Sequence, residues 1–256
     1  MADVTDTAAA IARIRAEEGE RPVEERLFED PLAHLFAGGE AGGEALDLFE
    51  RVPFMREYVR ARTRFIDDAV RAALAAGLRD VVLLGAGFDT RAFRMPEIAA
   101  SGALVFEVDL ERQLAAKRAR LAAAGVALPE RLRLVACDFT ADGWEDALRS
   151  DLAGAGFALR AGAMFVWEGV VGYLDDRAID RTIAFMASAG GPGTRVTLNY
   201  PSFRVRRDEI ADRLARGGFA ILEDDDAGSV FRRFVPGERV AGDDLFRLAV
   251  AHVPRA

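Results

Sequence analysis

The sequence predicts an α/β fold: a mostly parallel sheet with helices on both faces and a helical cap at the amino end. Three observations carry this. From residue 80 onward short apolar runs alternate with longer helical stretches, the pattern of successive strand-helix units. The first such run, VVLLGAGFDTRAFR at 81–94, breaks into a glycine pair that lets the backbone approach a bound group and opens a helix amino end. Finally, an acid follows each of the first four strands, so the carboxyl ends share one kind of chemistry. At 256 residues and 51% hydrophobic composition the chain fits one domain, 1–256, made of a helical cap over 1–78 and an α/β core over 79–256.

The elements follow in order. An Ala-rich segment near 6–18 reads as a helix. In EDPLAHLF, Asp30 is placed to cap a helix beginning at Pro31, with Leu32, Leu35 and Phe36 facing inward. Gly38, Gly39, Gly42 and Gly43 mark a loop. A long amphipathic helix spans about 56–76 with the stripe Tyr58, Val59, Phe65, Ile66, Ala69, Val70, Ala73 and Leu74, interrupted at Arg62. An inward arginine must meet an internal carboxylate or an anionic ligand, because an unpaired buried guanidinium is very costly. Strands are expected at 81–85, 104–108, 132–137, 163–167 and 195–199, with helices at 110–123 and 176–187 between them. Beyond Tyr200 a helix at 207–216 precedes extended segments near 219–222, 229–235 and 244–253, the last suited to an antiparallel pair at the sheet edge; EDDD at 223–226 reads as a solvated turn.

Composition narrows the partners. The net charge of −8 disfavours a nucleic-acid backbone or an anionic membrane surface, which leaves a small-molecule acceptor as the expected partner. The lone Cys137 forms no internal disulfide, and His34 and His252 lack ligand spacing, so no metal site is expected. No apolar run approaches the roughly 20 residues of a membrane span, and the amino end lacks a secretory pattern, so the expectation is a cytoplasmic protein.

The acids give the rim its chemistry. Asp89 follows the first strand, Glu107 and Asp109 the second, Asp138 the third and Glu168 the fourth. Asp109 stands 24 residues after Gly85, close to the spacing of about 20 at which a carboxylate meets ribose hydroxyls. Asp138 can accept from an adenine amino group while Phe139 flanks the ring. A dinucleotide fingerprint would want a third glycine where Thr90 stands, and the acids repel pyrophosphate. A phosphate-free adenosine carrying a sulfonium, S-adenosyl-L-methionine, suits this rim. Structural roles remain open for several of these residues: Asp89 and Thr90 as helix caps, Asp138 as a turn residue, Glu107 as an ion-pair partner of Arg91 or Arg94.

RARTRFIDDAV, VVLLGAGFDTRAFR, FEVDLE, KRARL, CDF and WEGVVGYL, in this order, resemble the leucine carboxyl methyltransferase family over about residues 26–200. The resemblance implies a class I methyltransferase (Rossmann-like) sheet whose last strand is antiparallel. It also implies Arg62 on the cofactor carboxylate, Gly85 under the methionine portion with Gly87 and Asp89 in the same loop, Asp109 on the ribose, Asp138 and Phe139 on adenine, and Glu168 near the methionine end. The reaction expected is O-methylation of a carboxylate or acidic hydroxyl, with Glu168 or Tyr173 available to assist a less acidic group. Only 201–218 is available as a lid, which leaves the acceptor unnamed. A nicotinamide-dependent Rossmann oxidoreductase and a catalytically inactive methyltransferase-like binding subunit are the competing readings.

Overall fold

A computed structural model describes residues 4–37, 47, 49 and 51–255; the glycine loop expected at 38–43 lies outside these. Helix α1 (Val4–Ala16) and the long helix α2 (Met55–Ala75) precede strand β1 (Asp80–Leu84). Two short helices, α3 (Arg91–Arg94) and α4 (Pro96–Ser101), lead to β2 (Leu104–Asp109), α5 (Glu111–Ala123), β3 (Leu132–Ala136) and α6 (Trp144–Gly154). The chain continues through β4 (Met164–Trp167), α7 (Asp176–Gly190), β5 (Arg195–Pro201), α8 (Arg207–Arg216), β6 (Ala220–Asp226), α9 (Ala227–Phe234) and β7 (Phe246–His252).

Seven strands form one sheet in the order β3-β2-β1-β4-β5-β7-β6. Strands β3, β2, β1, β4 and β5 run parallel to one another, while β7 runs antiparallel to both β5 and β6. Every residue of β1 is buried, as expected for a central strand covered on both faces. Its alternation divides the core: Val82 and Leu84 pack with Phe106, Trp144, Ile179 and Ile183, and Val81 and Leu83 pack with Val59, Ile66 and Val70 of α2. The strand order reverses between the neighbouring strands β1 and β4, which leaves the crevice beyond their carboxyl ends as the place for a ligand.

Three local expectations are corrected. No α-helix begins at Pro31; a single turn of 3-10 helix, Ala33–Leu35, follows instead. The Asp30 side chain is drawn away from a cap into the interior, where it accepts from Thr90 Oγ1 at 2.8 Å and pairs with Arg15 at 3.1 Å. Phe36 is buried and stacks on Phe88, whereas Leu32 and Leu35 are half-buried. EDDD at 223–226 is part of β6, with Asp224 4% exposed and accepting from Tyr200 at 2.8 Å and Arg247 at 2.8 Å. Residues 229–235 are not extended: Asp226 caps α9 by accepting the Ser229 N–H at 2.7 Å. The rings of Phe231 and Phe234 then lie under Arg60 and Arg64 of α2, at 5.5 and 5.0 Å.

Candidate active site

Four strand ends build the site. The loop after β1 carries Gly85 at φ 70° and Gly87 at φ 49°, a left-handed backbone that glycine adopts without strain. A Cβ on Gly85 would stand 2.4 Å from Val170 Cγ2, so the missing side chain admits the loop that follows β4. A Cβ on Gly87 would meet Ala8 of α1 at 3.4 Å, and Arg15 of α1 donates to the Phe88 carbonyl at 2.5 Å. The amino-terminal helix therefore lies directly against the glycine loop.

Asp109 ends β2 beside that loop and is 6% exposed. One carboxylate oxygen accepts the Gly87 N–H at 2.7 Å and the other the Leu110 N–H at 2.7 Å. Burial raises its pKa, with the two amides and Lys117 opposing. A carboxylate has about four acceptor positions, so this fixed orientation still leaves lone pairs for a diol. Glu107, two residues earlier, pairs with Lys117 at 2.5 Å and not with Arg91 or Arg94. Burial pushes its carboxyl up to about 7 against the pull of Lys117, which also donates to the Asp89 carbonyl.

At the end of β4, Glu168 sits between two guanidiniums. Arg62 Nε approaches one oxygen at 2.7 Å, and Arg91 Nη1 donates to the other at 2.7 Å. Burial pushes the carboxyl up, but Arg91, Arg62 and Arg15 outweigh it and hold Glu168 at about 2. The Arg62 contact is close but poorly aligned: neither Arg62 Nε nor Glu168 Oε1 completes a hydrogen bond, although both are buried. The inward arginine expected from the helix stripe thus meets an internal carboxylate with directional capacity to spare on both partners. Tyr58 steadies it, its hydroxyl accepting from Arg62 at 3.4 Å and from Asn199 at 2.7 Å, while Asn199 accepts the Gly169 N–H at 2.7 Å.

Asp89 does not face an open rim. Its carboxylate accepts the Arg91 N–H at 2.7 Å and also takes the Arg91 guanidinium, so its acceptors are turned into the protein. Thr90, in the third-glycine position, is 1% exposed and spends its hydroxyl on Asp30. Asp138 is exposed at the end of β3 and accepts from the Thr140 N–H and hydroxyl at 2.9 and 2.6 Å, a turn that leaves one oxygen uncommitted. Phe139 beside it packs edge-on against Trp144 at 5.2 Å. Tyr173 lies in the 3-10 turn Val171–Tyr173 and is 48% exposed. Burial pushes the Cys137 thiol up to about 12, so it is a packing residue, and His34 is exposed.

Sequence reasoning missed Arg91 as the centre of the charge network. It is 2% exposed and bridges Asp89, Asp67 of α2 and Glu168, with the Asp67 contact at 2.7 Å. The Asp89-Thr90-Arg91 run holds the signal, an acid two residues before an arginine. Tyr58 and Asn199 carried no sequence signal beyond helical and strand patterning.

The profile of the leucine carboxyl methyltransferase family matches residues 8–187. A protein of Parafrankia sp., provisionally named an S-adenosyl-L-methionine-dependent methyltransferase, is 39% identical over 77% of this chain and 63% of its own length. A Streptomyces coelicolor protein of the same provisional name is 38% identical over 77% of this chain and 69% of its own length. The chain thus spans just under two thirds of the first of these relatives. Among solved structures, a provisionally named methyltransferase from Thermobifida fusca superposes with a TM-score of 0.59 at 19% identity, covering 86% of this chain and 90% of that one. Seven strands with an antiparallel β7 and this likeness give the class I methyltransferase fold.

Proposed function

This chain belongs to the leucine carboxyl methyltransferase family, and from that premise we propose that it transfers a methyl group from S-adenosyl-L-methionine to an oxygen of a small molecule that arrives as an anion. The residues at the rim fit the cofactor. Its amino-acid end carries a carboxylate and an ammonium, the two charges that Arg62 Nε and Glu168 Oε1, buried and short of aligned partners, can take up. Asp109 offers lone pairs to the ribose hydroxyls, and Asp138 and Phe139 an acceptor and a ring for adenine. When bound, the cofactor would supply an electrophilic methyl group to an anionic oxygen, its sulfonium sulfur being the leaving group.

The chain's part in this is positional. Arg62 and Glu168 fix one end of the cofactor, Asp109 the middle and the glycine loop its approach, while α1 against Gly87 limits water. The single observation that carries the anionic acceptor is Glu168. Two guanidiniums hold its carboxyl at about 2, so at neutral pH it is a poor proton acceptor. With Glu168 held as an anion that does not take up a proton at neutral pH, an acceptor oxygen already ionised, a carboxylate or an acidic hydroxyl, fits the site best. Thr90 disfavours a dinucleotide, because the third-glycine position is filled by a buried hydroxyl bonded to Asp30.

Isothermal titration with S-adenosyl-L-homocysteine tests the reading. Arg62→Ala and Asp109→Ala should each weaken binding by at least about tenfold, the loss of one charge-assisted contact. Unchanged affinity in both variants overturns the assigned site.

A further inference from the structure

We propose that Arg204, flanked by Phe203 and Tyr173, is the acceptor subsite, and that the acceptor is an aromatic molecule bearing a carboxylate anchored on Arg204 and a second acidic oxygen that is methylated. The inference rests on the methyl-transfer reading and adds the substrate class. Three arginines, Arg204, Arg206 and Arg207, follow β5. Arg206 is answered by Asp208 at 3.0 Å and by Glu209, and Arg207 by Asp224 at 3.6 Å. Arg204 differs: its partners are the carbonyls of Gly172, at 2.8 Å, and Leu174, and no carboxylate pairs with it among the described residues. Carbonyls aim a guanidinium without neutralising it, and the fork retains donors for a carboxylate. In a chain of net charge −8, this local cation gives an anionic acceptor a place to dock.

Its position matches the chemistry. The Arg204 bonds fasten the segment after β5 to the turn after β4, the same turn whose Val170 lies over Gly85 and whose first residue is Glu168. The residues joined by that clasp adjoin two large exposed rings in the chain, Phe203 next to Arg204 at 73% and Tyr173 between Gly172 and Leu174 at 48%. A phenylalanine this exposed leaves apolar surface in water unless a partner covers it. Phe203 meets Phe246 edge-on at 6.2 Å, and Phe246 stacks on Tyr58 at 4.1 Å. Tyr58 in turn bonds Arg62. A chain of ring contacts therefore links the exposed Phe203 through Phe246 to the buried Tyr58 beside Arg62, and its exposed end offers a face to a flat ring whose carboxylate meets Arg204.

The test uses full-length protein saturated with S-adenosyl-L-homocysteine, titrated with 4-hydroxybenzoate, 4-hydroxycinnamate and the neutral amides of both. The acids should bind more tightly than their amides. Arg204→Gln should weaken the acids at least tenfold and leave the amides unchanged; Arg204→Lys, which keeps the charge, should recover part of the loss. Phe203→Ala should weaken acids and amides alike. If Arg204→Gln lowers both acids and amides equally, Arg204 is only a loop clasp and the inference fails. It fails equally if neither acid binds or if the variant binds acids as the parent does. Failure to bind S-adenosyl-L-homocysteine at all would instead overturn the methyl-transfer reading.

Discussion

At the residue scale, Glu168 is the group on which the proposed acceptor chemistry turns. Its folded carboxyl is held at about 2, below the ordinary 4.5 of an unfolded chain, because Arg91 and Arg62 stabilise the anion more than burial penalises it. A group depressed in this way adds stability above its unfolded pKa and loses it as pH falls through the folded value. Wild-type protein should therefore lose stability more steeply than Glu168→Gln between pH 4.5 and about 2, read as denaturation midpoints across that window. Parallel profiles would mean the two arginines do not hold the carboxyl down. Glu107 works in the opposite sense: raised to about 7 by burial, it costs stability as pH climbs from 4.5 towards 7, and it is the same in both proteins. Arg62 was legible at this scale because a charge interrupting an apolar stripe is conspicuous. Arg91 was legible only in part: Asp89 stands two residues away, but its other two carboxylate partners, Asp67 and Glu168, come from distant parts of the chain.

At the element scale, the glycine loop is shaped as much by its protein neighbours as by any ligand. Gly85→Ala would force a side chain to within 2.4 Å of Val170 Cγ2 from a backbone at φ 70°. Overpacking of this kind costs about 1–3 kcal/mol, with backbone strain added. Gly85→Ala should therefore lower the chemical-denaturation stability by that order, and adding Val170→Ala should restore part of it; no recovery in the double variant would place the strain wholly in the backbone. The parallel strands were readable because buried central strands are short apolar runs with little ambiguity. The carboxyl-terminal elements were not. EDDD at 223–226 looks soluble residue by residue, yet β6 is an edge strand with one acid, Asp224, turned inward to Tyr200 and Arg247. Residues 229–235 carry aromatic and β-branched side chains that favour a strand, but the Asp226 cap and the packing of Phe231 and Phe234 on α2 select a helix.

For the whole molecule, the sheet order sends acids from β2, β3 and β4 to the same rim as the glycine loop of β1, and α2 adds Arg62. That convergence was legible in outline, since parallel topology sends every strand's carboxyl end to one rim. The direction of each carboxylate was not, and Asp89, turned into Arg91, is the clearest case. A ligand that touches both α2 and the strand ends should stabilise the fold as a whole. At about 100 times its Kd, S-adenosyl-L-homocysteine should add about 2.7 kcal/mol and raise the Tm by several degrees, with NADH giving no shift. The most direct measurement is a crystal structure with S-adenosyl-L-homocysteine bound. The account predicts one ligand with its carboxylate on Arg62, its ammonium on Glu168 and its ribose hydroxyls on Asp109. A ligand seated away from the β1 glycine loop, or one that leaves either Arg62 or Asp109 without contact, would contradict it.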